Sequence, residues 1–217
     1  MEREKRLDCL INNAGIMAVP AGETAEGYEI QFGTNHMGHA LLTRLLLPTL
    51  QATTKEHGGD VRIINLTSEG HKFARTGTTL LNDKELKLLG PWPRYGYSKL
   101  ANILFTHEMA NRYPEITSVA IHPGIVSTGL YEPNQKSNPI MRYAMMFGGW
   151  LRASVETGAL NQLWAATCEK DQLKSGAYYK PVGIQSSGSE LAHDAELARQ
   201  LWNWTEQELD ARGIQKP

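Results

Sequence analysis

Short apolar runs alternate with helix-length segments along this chain, and that alternation predicts an α/β fold in which helices cover a parallel sheet. A second observation points the same way. Small polar or turn-forming groups, Asn12-Asn13-Ala14-Gly15, Thr67-Ser68 and Pro123-Gly124, follow the apolar runs, at the strand ends where open α/β sheets gather ligands. The 217 residues, 41% hydrophobic and 21% charged, suffice for one sizeable core but not for two large ones, so residues 1–217 read as a single domain.

In order, the apolar runs place strands near 8–12, 61–66, 118–122 and 177–179. A short helix is expected to open near Thr24 and a long one to run from about Asn35 to Ala52. Another covers about Tyr97 to Tyr113, one follows the cap residue Ser154, and a last one extends from about Ser189 to Ala211. Gly58-Gly59 and the stretch Gly183 to Gly188 read as turns.

Composition narrows the function. A formal charge of −1 and a pI near 6.7 give no electrostatic reason to expect nucleic acid or an anionic membrane as partner. Cys9 and Cys168 do not make the framework of a small secreted protein and read as reduced, buried thiols. The charged start Met1-Glu-Arg-Glu-Lys-Arg6 precedes too short an apolar stretch for a signal peptide, and no apolar run is long enough to span a bilayer. A cytoplasmic protein working on small molecules is the expectation.

The chemistry concentrates around Tyr95-Gly-Tyr-Ser-Lys99. Tyrosine and lysine at i and i+4 share a helix face, so the Lys99 ammonium can sit near the Tyr95 phenol, favour phenolate and make Tyr95 a general acid and base near neutral pH. Ser68 follows the strand-like run Val61 to Leu66 and would project from its C-terminal end. A Tyr-x-x-x-Lys pair alone is also what a surface lysine packed on a tyrosine produces. The ordered set of Asn-Asn-Ala-Gly, Asn35, Thr67-Ser68, Tyr95 with Lys99, and Pro123-Gly124 is not a chance pattern.

Other groups carry less. His36 and His39 lack a third ligand at metal spacing, so no metal is expected. His71, three residues past Ser68, is close enough to the site to touch substrate but reads rather as a solvated loop histidine, Glu69 and Asp83 as loop charges, and Trp202 and Trp204 as packing residues. The apolar stretch Pro139 to Trp150, with Met141 and Met145 one turn apart, suits either core packing or a pocket for a bulky apolar ligand.

This ordered set resembles the short-chain dehydrogenase/reductase family from residue 7 almost to the C-terminus. The phrases Tyr97 to Thr106, Leu41 to Pro48 and Leu197 to Trp202 look like its retinol dehydrogenase and WW-domain oxidoreductase branch. The resemblance implies a Rossmann-like, doubly wound sheet and NAD(P)-dependent hydride transfer, commonly with NADP, to or from a carbonyl or alcohol of a small apolar molecule. It makes Tyr95 the proton donor or acceptor, and Lys99 its partner and a holder of the nicotinamide ribose. Ser68 would hydrogen-bond the substrate oxygen and Asn35 would position a relay water. Asn13 would support the sheet and lie near the cofactor with Ala14 and Gly15, while Pro123, Gly124, Ile125, Val126 and Thr128 would contact the nicotinamide. Residues 129–152 become a substrate lid. Assembly through the two long helices, common in the family, makes a homo-oligomer an expectation.

Against that family the chain begins at a strand that normally lies inside the sheet. Its first three strands and the Gly-rich phosphate turn, together with the residue that separates NAD from NADP, would precede residue 7. The expectation is therefore an N-terminally truncated fold holding the nicotinamide half of the site. The alternative is an inactive remnant or an interaction protein that uses the open edge of the strand at 7–12.

Overall fold

The computed structural model describes residues 4–56, 58–124 and 154–213. Among them, five strands form one sheet in the order β1 (Cys9–Asn12), β2 (Arg62–Leu66), β3 (Thr117–Ile121), β4 (Tyr178–Lys180) and β5 (Ile184–Ser186). The first four run parallel, with Cys9 beside Arg62, Arg62 beside Thr117 and Ala120 beside Tyr178. β2 and β3 are buried along their whole length, as expected of parallel strands covered on both faces.

β5 corrects the sequence reading, which made the Gly183 to Gly188 stretch a turn. Gly183 and Gly188 both have positive φ, +70° and +75°, and three of the four residues between them, Ile184–Ser186, return antiparallel to β4. Glycine-dominated composition concealed so short a strand. Among the described residues β1 and β5 are the sheet edges, and Ile11 on β1 is exposed.

Helix α1 is a continuous rod, residues 30–54, made of Ile30–Phe32, a π-helical Gly33–Met37 and Gly38–Thr54. The short helix expected near Thr24 is instead a turn closed by a bridge between Glu23 and Glu29, with Gly27 at φ +85°. Glu29 then caps α1, its carboxylate accepting from the Phe32 N–H at 2.7 Å. After α2 (Gly77–Leu80) and α3 (Asp83–Leu88), α4 runs from Pro91 to Arg112. It opens at Pro91, ahead of the expected Tyr97, because proline at the first helical position is already set for the helix. Tyr95 and Lys99 consequently lie on one unbroken helix.

Helix α5 (Val155–Thr167) starts where predicted, with Ser154 Oγ accepting from the Thr157 N–H. The last segment divides into a 3₁₀ turn (Glu190–His193) and α6 (Ala195–Ala211), because Asp194 caps a new helix start. Residues α1, α4 and α6 cover one sheet face with Phe32, Leu50, Leu100, Leu104, Phe105 and Leu201, while α5 covers the other over Ile64, Val119 and Ile121. Trp202 stacks on Phe105 and Trp204 meets Phe32 edge-on, so both are packing residues. His36 is buried between Phe32 and Phe105 and bonded to Thr205. Cys9 and Cys168 are free thiols but only half-buried, because each lies at the margin of the α5 face.

The loop between β1 and α1 is held to α4 by a buried ion pair. Arg94 donates to the Glu29 carboxylate at 2.8 Å, with both side chains almost fully enclosed, and to the Val19 carbonyl at 2.9 Å. Removing one partner leaves the other buried and uncompensated. Arg94→Ala is therefore expected to lower unfolding free energy by about 3–5 kcal/mol, measured by chemical denaturation; a loss below about 1 kcal/mol, the range of exposed pairs, would contradict the buried-pair assignment.

Candidate active site

The site is built where α4 passes the C-terminal end of β2. Lys99 Nζ and Asn102 Nδ2 both donate to the Leu66 carbonyl, at 3.2 and 2.9 Å, and Thr67 Oγ donates to the Lys99 carbonyl at 2.7 Å. Lys99 is buried, which pushes its ammonium down to about 8. It still carries its proton at neutral pH. Its Nζ lies 5.8 Å from the centre of the Tyr95 ring.

Ser68 opens a 3₁₀ turn (Glu69–Phe73) directly after β2. Its Oγ accepts from the Gly70 N–H at 3.1 Å, which leaves the hydroxyl proton available to an incoming oxygen. The turn lies against α4 through two glycines. A Cβ on Gly70 would come within 2.7 Å of the Tyr95 ring, and one on Gly96 within 2.8 Å of the Gly70 carbonyl. Only that close approach brings the Ser68 turn onto the tyrosine.

These groups share a cleft of about 700 Å³. Asn13, Ala14 and Gly15, Ser68, Tyr95 and Lys99, and His122, Pro123 and Gly124 all line it. Ile125, Val126 and Thr128, and the proposed lid at 129–152, lie outside the described residues.

Two asparagines help to hold the site together. Asn12, not Asn13, supports the sheet: its buried Nδ2 donates to Thr43 Oγ and Asn65 Oδ1. Asn13, one residue past β1, is exposed in the cleft on the α5 side, away from α1 and α4. Asn35 is fully buried, and its amide is committed to the Ile16 N–H, the Ile16 carbonyl and Ser98 Oγ. It fixes the 13–16 loop to α4 from behind.

His71 is not a solvated loop residue. It is fully enclosed, bonded through both ring nitrogens, and edge-on to Tyr178. Glu69 is likewise more than a loop charge: burial pushes its carboxyl up, but Lys72, Tyr178 and Lys180 outweigh that and bring it down to about 2. Asp83 accepts from the Glu29 N–H and pairs with Lys87. Sequence reasoning missed His122, Met17 and Gln162, which also line the cleft. The position of His122 immediately before Pro123-Gly124 was the available signal. Burial pushes its imidazole down to about 4.

No family model matches the chain, but individual proteins do. It is 35% identical over 226 residues to the short-chain dehydrogenase/reductase drtF of Aspergillus calidoustus, covering 98% of this chain and 71% of that protein. The chain belongs to the short-chain dehydrogenase/reductase family. It is also 35% identical over 205 residues to retinol dehydrogenase 11 of Mus musculus, covering 94% of this chain and 61% of that one. Across the first relatives matched, it spans 55 to 71% of their length. Among solved structures of the same fold, a protein of uncharacterized function from Mycobacterium paratuberculosis aligns at TM-score 0.69 and 31% identity over 96% of this chain and 69% of its own. An NADPH-bound carbonyl reductase from chicken fatty liver aligns at 0.54 and 25% over 83% and 66%.

The glycine contact is directly testable. Gly96→Ala would place its Cβ 2.8 Å from both the Gly70 carbonyl and Phe73 Cβ and 3.1 Å from the Ala74 nitrogen. Overpacking of that kind is expected to cost about 1–3 kcal/mol in a denaturant titration. Unchanged stability would show that the turn does not lie against α4.

Proposed function

We propose that this cleft transfers a hydride between NAD(P) and the carbonyl or alcohol carbon of a small apolar molecule. The observation that carries the reading is the convergence of Ser68, Tyr95 and a buried, protonated Lys99 on one cleft. Membership of an oxidoreductase family supports it.

The residues present fit a nicotinamide nucleotide. Lys99 has three N–H donors and, among the described residues, a single carbonyl acceptor, so donors remain for ribose hydroxyls. Asn13, Ala14, Gly15, Pro123 and Gly124 would flank the ring. When bound in its reduced form, the nicotinamide supplies a hydride to the carbonyl carbon. Ser68 donates its hydroxyl hydrogen to the substrate oxygen and polarises the C=O bond. Tyr95 gives its phenolic proton to that oxygen as the C–H bond forms, and in the alcohol direction takes it back. The Lys99 cation stabilises the phenolate left behind.

An apolar substrate is supported by the surroundings of Tyr95. Met17 and Ala18 pack with it, and Trp92 and Phe73 continue outward as an edge-to-face series with centroids 6.5 and 5.9 Å apart. NADP is favoured over NAD on the strength of the NADPH-bound relative. Among the described residues no helix is long and apolar enough to cross a membrane, and a cytoplasmic setting fits the two free cysteines.

Tyr95→Phe tests the mechanism. Turnover of an apolar aldehyde with NADPH, followed by loss of cofactor absorbance, should fall by about 10²–10⁴-fold, the worth of a positioned acid, while the circular dichroism spectrum stays unchanged. Full activity in this variant would remove Tyr95 from the chemistry.

A further inference from the structure

We propose that His71 is a positioning residue for Ser68, acting as a neutral, tautomer-specific tether between the Ser68 turn and the segment that leads into α6. The proposal deepens the hydride-transfer reading and rests on it. Ser189 offers His71 Nε2 only an N–H, at 3.0 Å, so Nε2 must accept. The ring proton therefore sits on Nδ1 and is donated to the Ser68 carbonyl at 2.7 Å. The His71 backbone N–H donates to the same carbonyl at 3.0 Å. One residue thus holds Ser68 twice, while its far nitrogen anchors the arrangement at Ser189.

The ring cannot slide from this position. It is fully enclosed, its face meets the Tyr178 ring edge-on at 5.5 Å, and a Cβ on Gly188 would approach Nε2 within 3.2 Å. Tyr178 in turn donates to Glu69, the neighbour of Ser68, at 2.8 Å. Its carbonyl is fixed from one side and its Oγ accepts from the Gly70 N–H, which leaves the hydroxyl hydrogen uncommitted at the cleft that Ser68 lines together with Tyr95.

The tether has a defined pH sense. Burial holds the His71 imidazole below its ordinary 6.5, opposed by its bond to the Ser68 carbonyl and by Glu69 on its own turn, and reinforced by Lys72 and by Lys180 from β4; His122, beyond β3, also faces it. Protonation would put a hydrogen on Nε2 against the Ser189 N–H and break the tether. Stability from this group is therefore complete above pH 6.5 and declines as the pH falls toward the lowered folded value.

The test combines nitrogen NMR with two substitutions in the purified protein. Ring ¹⁵N shifts should report Nδ1 protonated and Nε2 unprotonated at pH 7; the reverse tautomer, or a solvent-like titration near 6.5, overturns the proposal. His71→Asn places an amide donor near Nδ1, whereas His71→Gln places its amide near Nε2. The proposal expects His71→Gln to lose about 10–100-fold in kcat/KM, the usual cost of an orienting partner, with His71→Asn keeping several times more activity and cofactor affinity unchanged in both. Equal losses in the two variants, or none, at matched folded fraction overturn it, since a structural role would lower stability without that split. Wild-type protein with the expected tautomer but no turnover overturns the hydride-transfer reading and this proposal with it; turnover with the wrong tautomer overturns the proposal alone.

Discussion

The geometry of the cleft depends on how closely α4 approaches the end of β2. Gly70 and Gly96 remove the two side chains that would hold the Ser68 turn away from the helix, and the Leu66 carbonyl then receives donors from both Lys99 and Asn102. Among the described residues the buried Lys99 ammonium meets a carbonyl acceptor and no carboxylate. An ammonium paired only with a neutral acceptor keeps a depressed pKa, which leaves Lys99 a cation without neutralising it against an acid.

Behind this contact runs a continuous polar ladder. Asn12 donates to Thr43 and Asn65, Asn65 to Thr106, and Thr106 to the Asn102 carbonyl. It crosses from β1 through β2 into α4, entirely within the covered side of the sheet. The amide donors of Asn12 and Asn65 all meet acceptors in this ladder, while Asn12 Oδ1 has no partner among the described residues; a slipped strand would leave those donors without acceptors as well. The ladder therefore fixes the axial position of α4, which sets where Tyr95 and Lys99 stand relative to Ser68. Glu29 and Arg94 fix the loop over the same helix from its other end.

Much of this was legible in the sequence. The four parallel strands and the helices after Ser154 and around Tyr97 follow from apolar runs and cap residues, which are local properties. Ser68, Tyr95 and Lys99 were legible because their roles depend on spacing from a strand end and along a helix. The rest depends on distant partners. His71 is buried only because Ser189 and Tyr178 arrive from more than a hundred positions away, and Asn12 replaced Asn13 as the sheet support because strand alternation decides which of two adjacent asparagines faces α1 and α4. β5 was hidden by its flanking glycines, and the turn near Thr24 by a bridge between two glutamates that no local preference encodes.

The central claim is that Lys99 is a buried ammonium lining the cleft. Its titration, followed by carbon NMR of protein labelled at lysine Cε and assigned by a Lys99→Arg variant, tests that directly. The account predicts a midpoint of about 8, set by burial. A midpoint at the ordinary lysine value of 10.5 would mean a solvated side chain, and the convergence of Ser68, Tyr95 and Lys99 on one cleft would be contradicted.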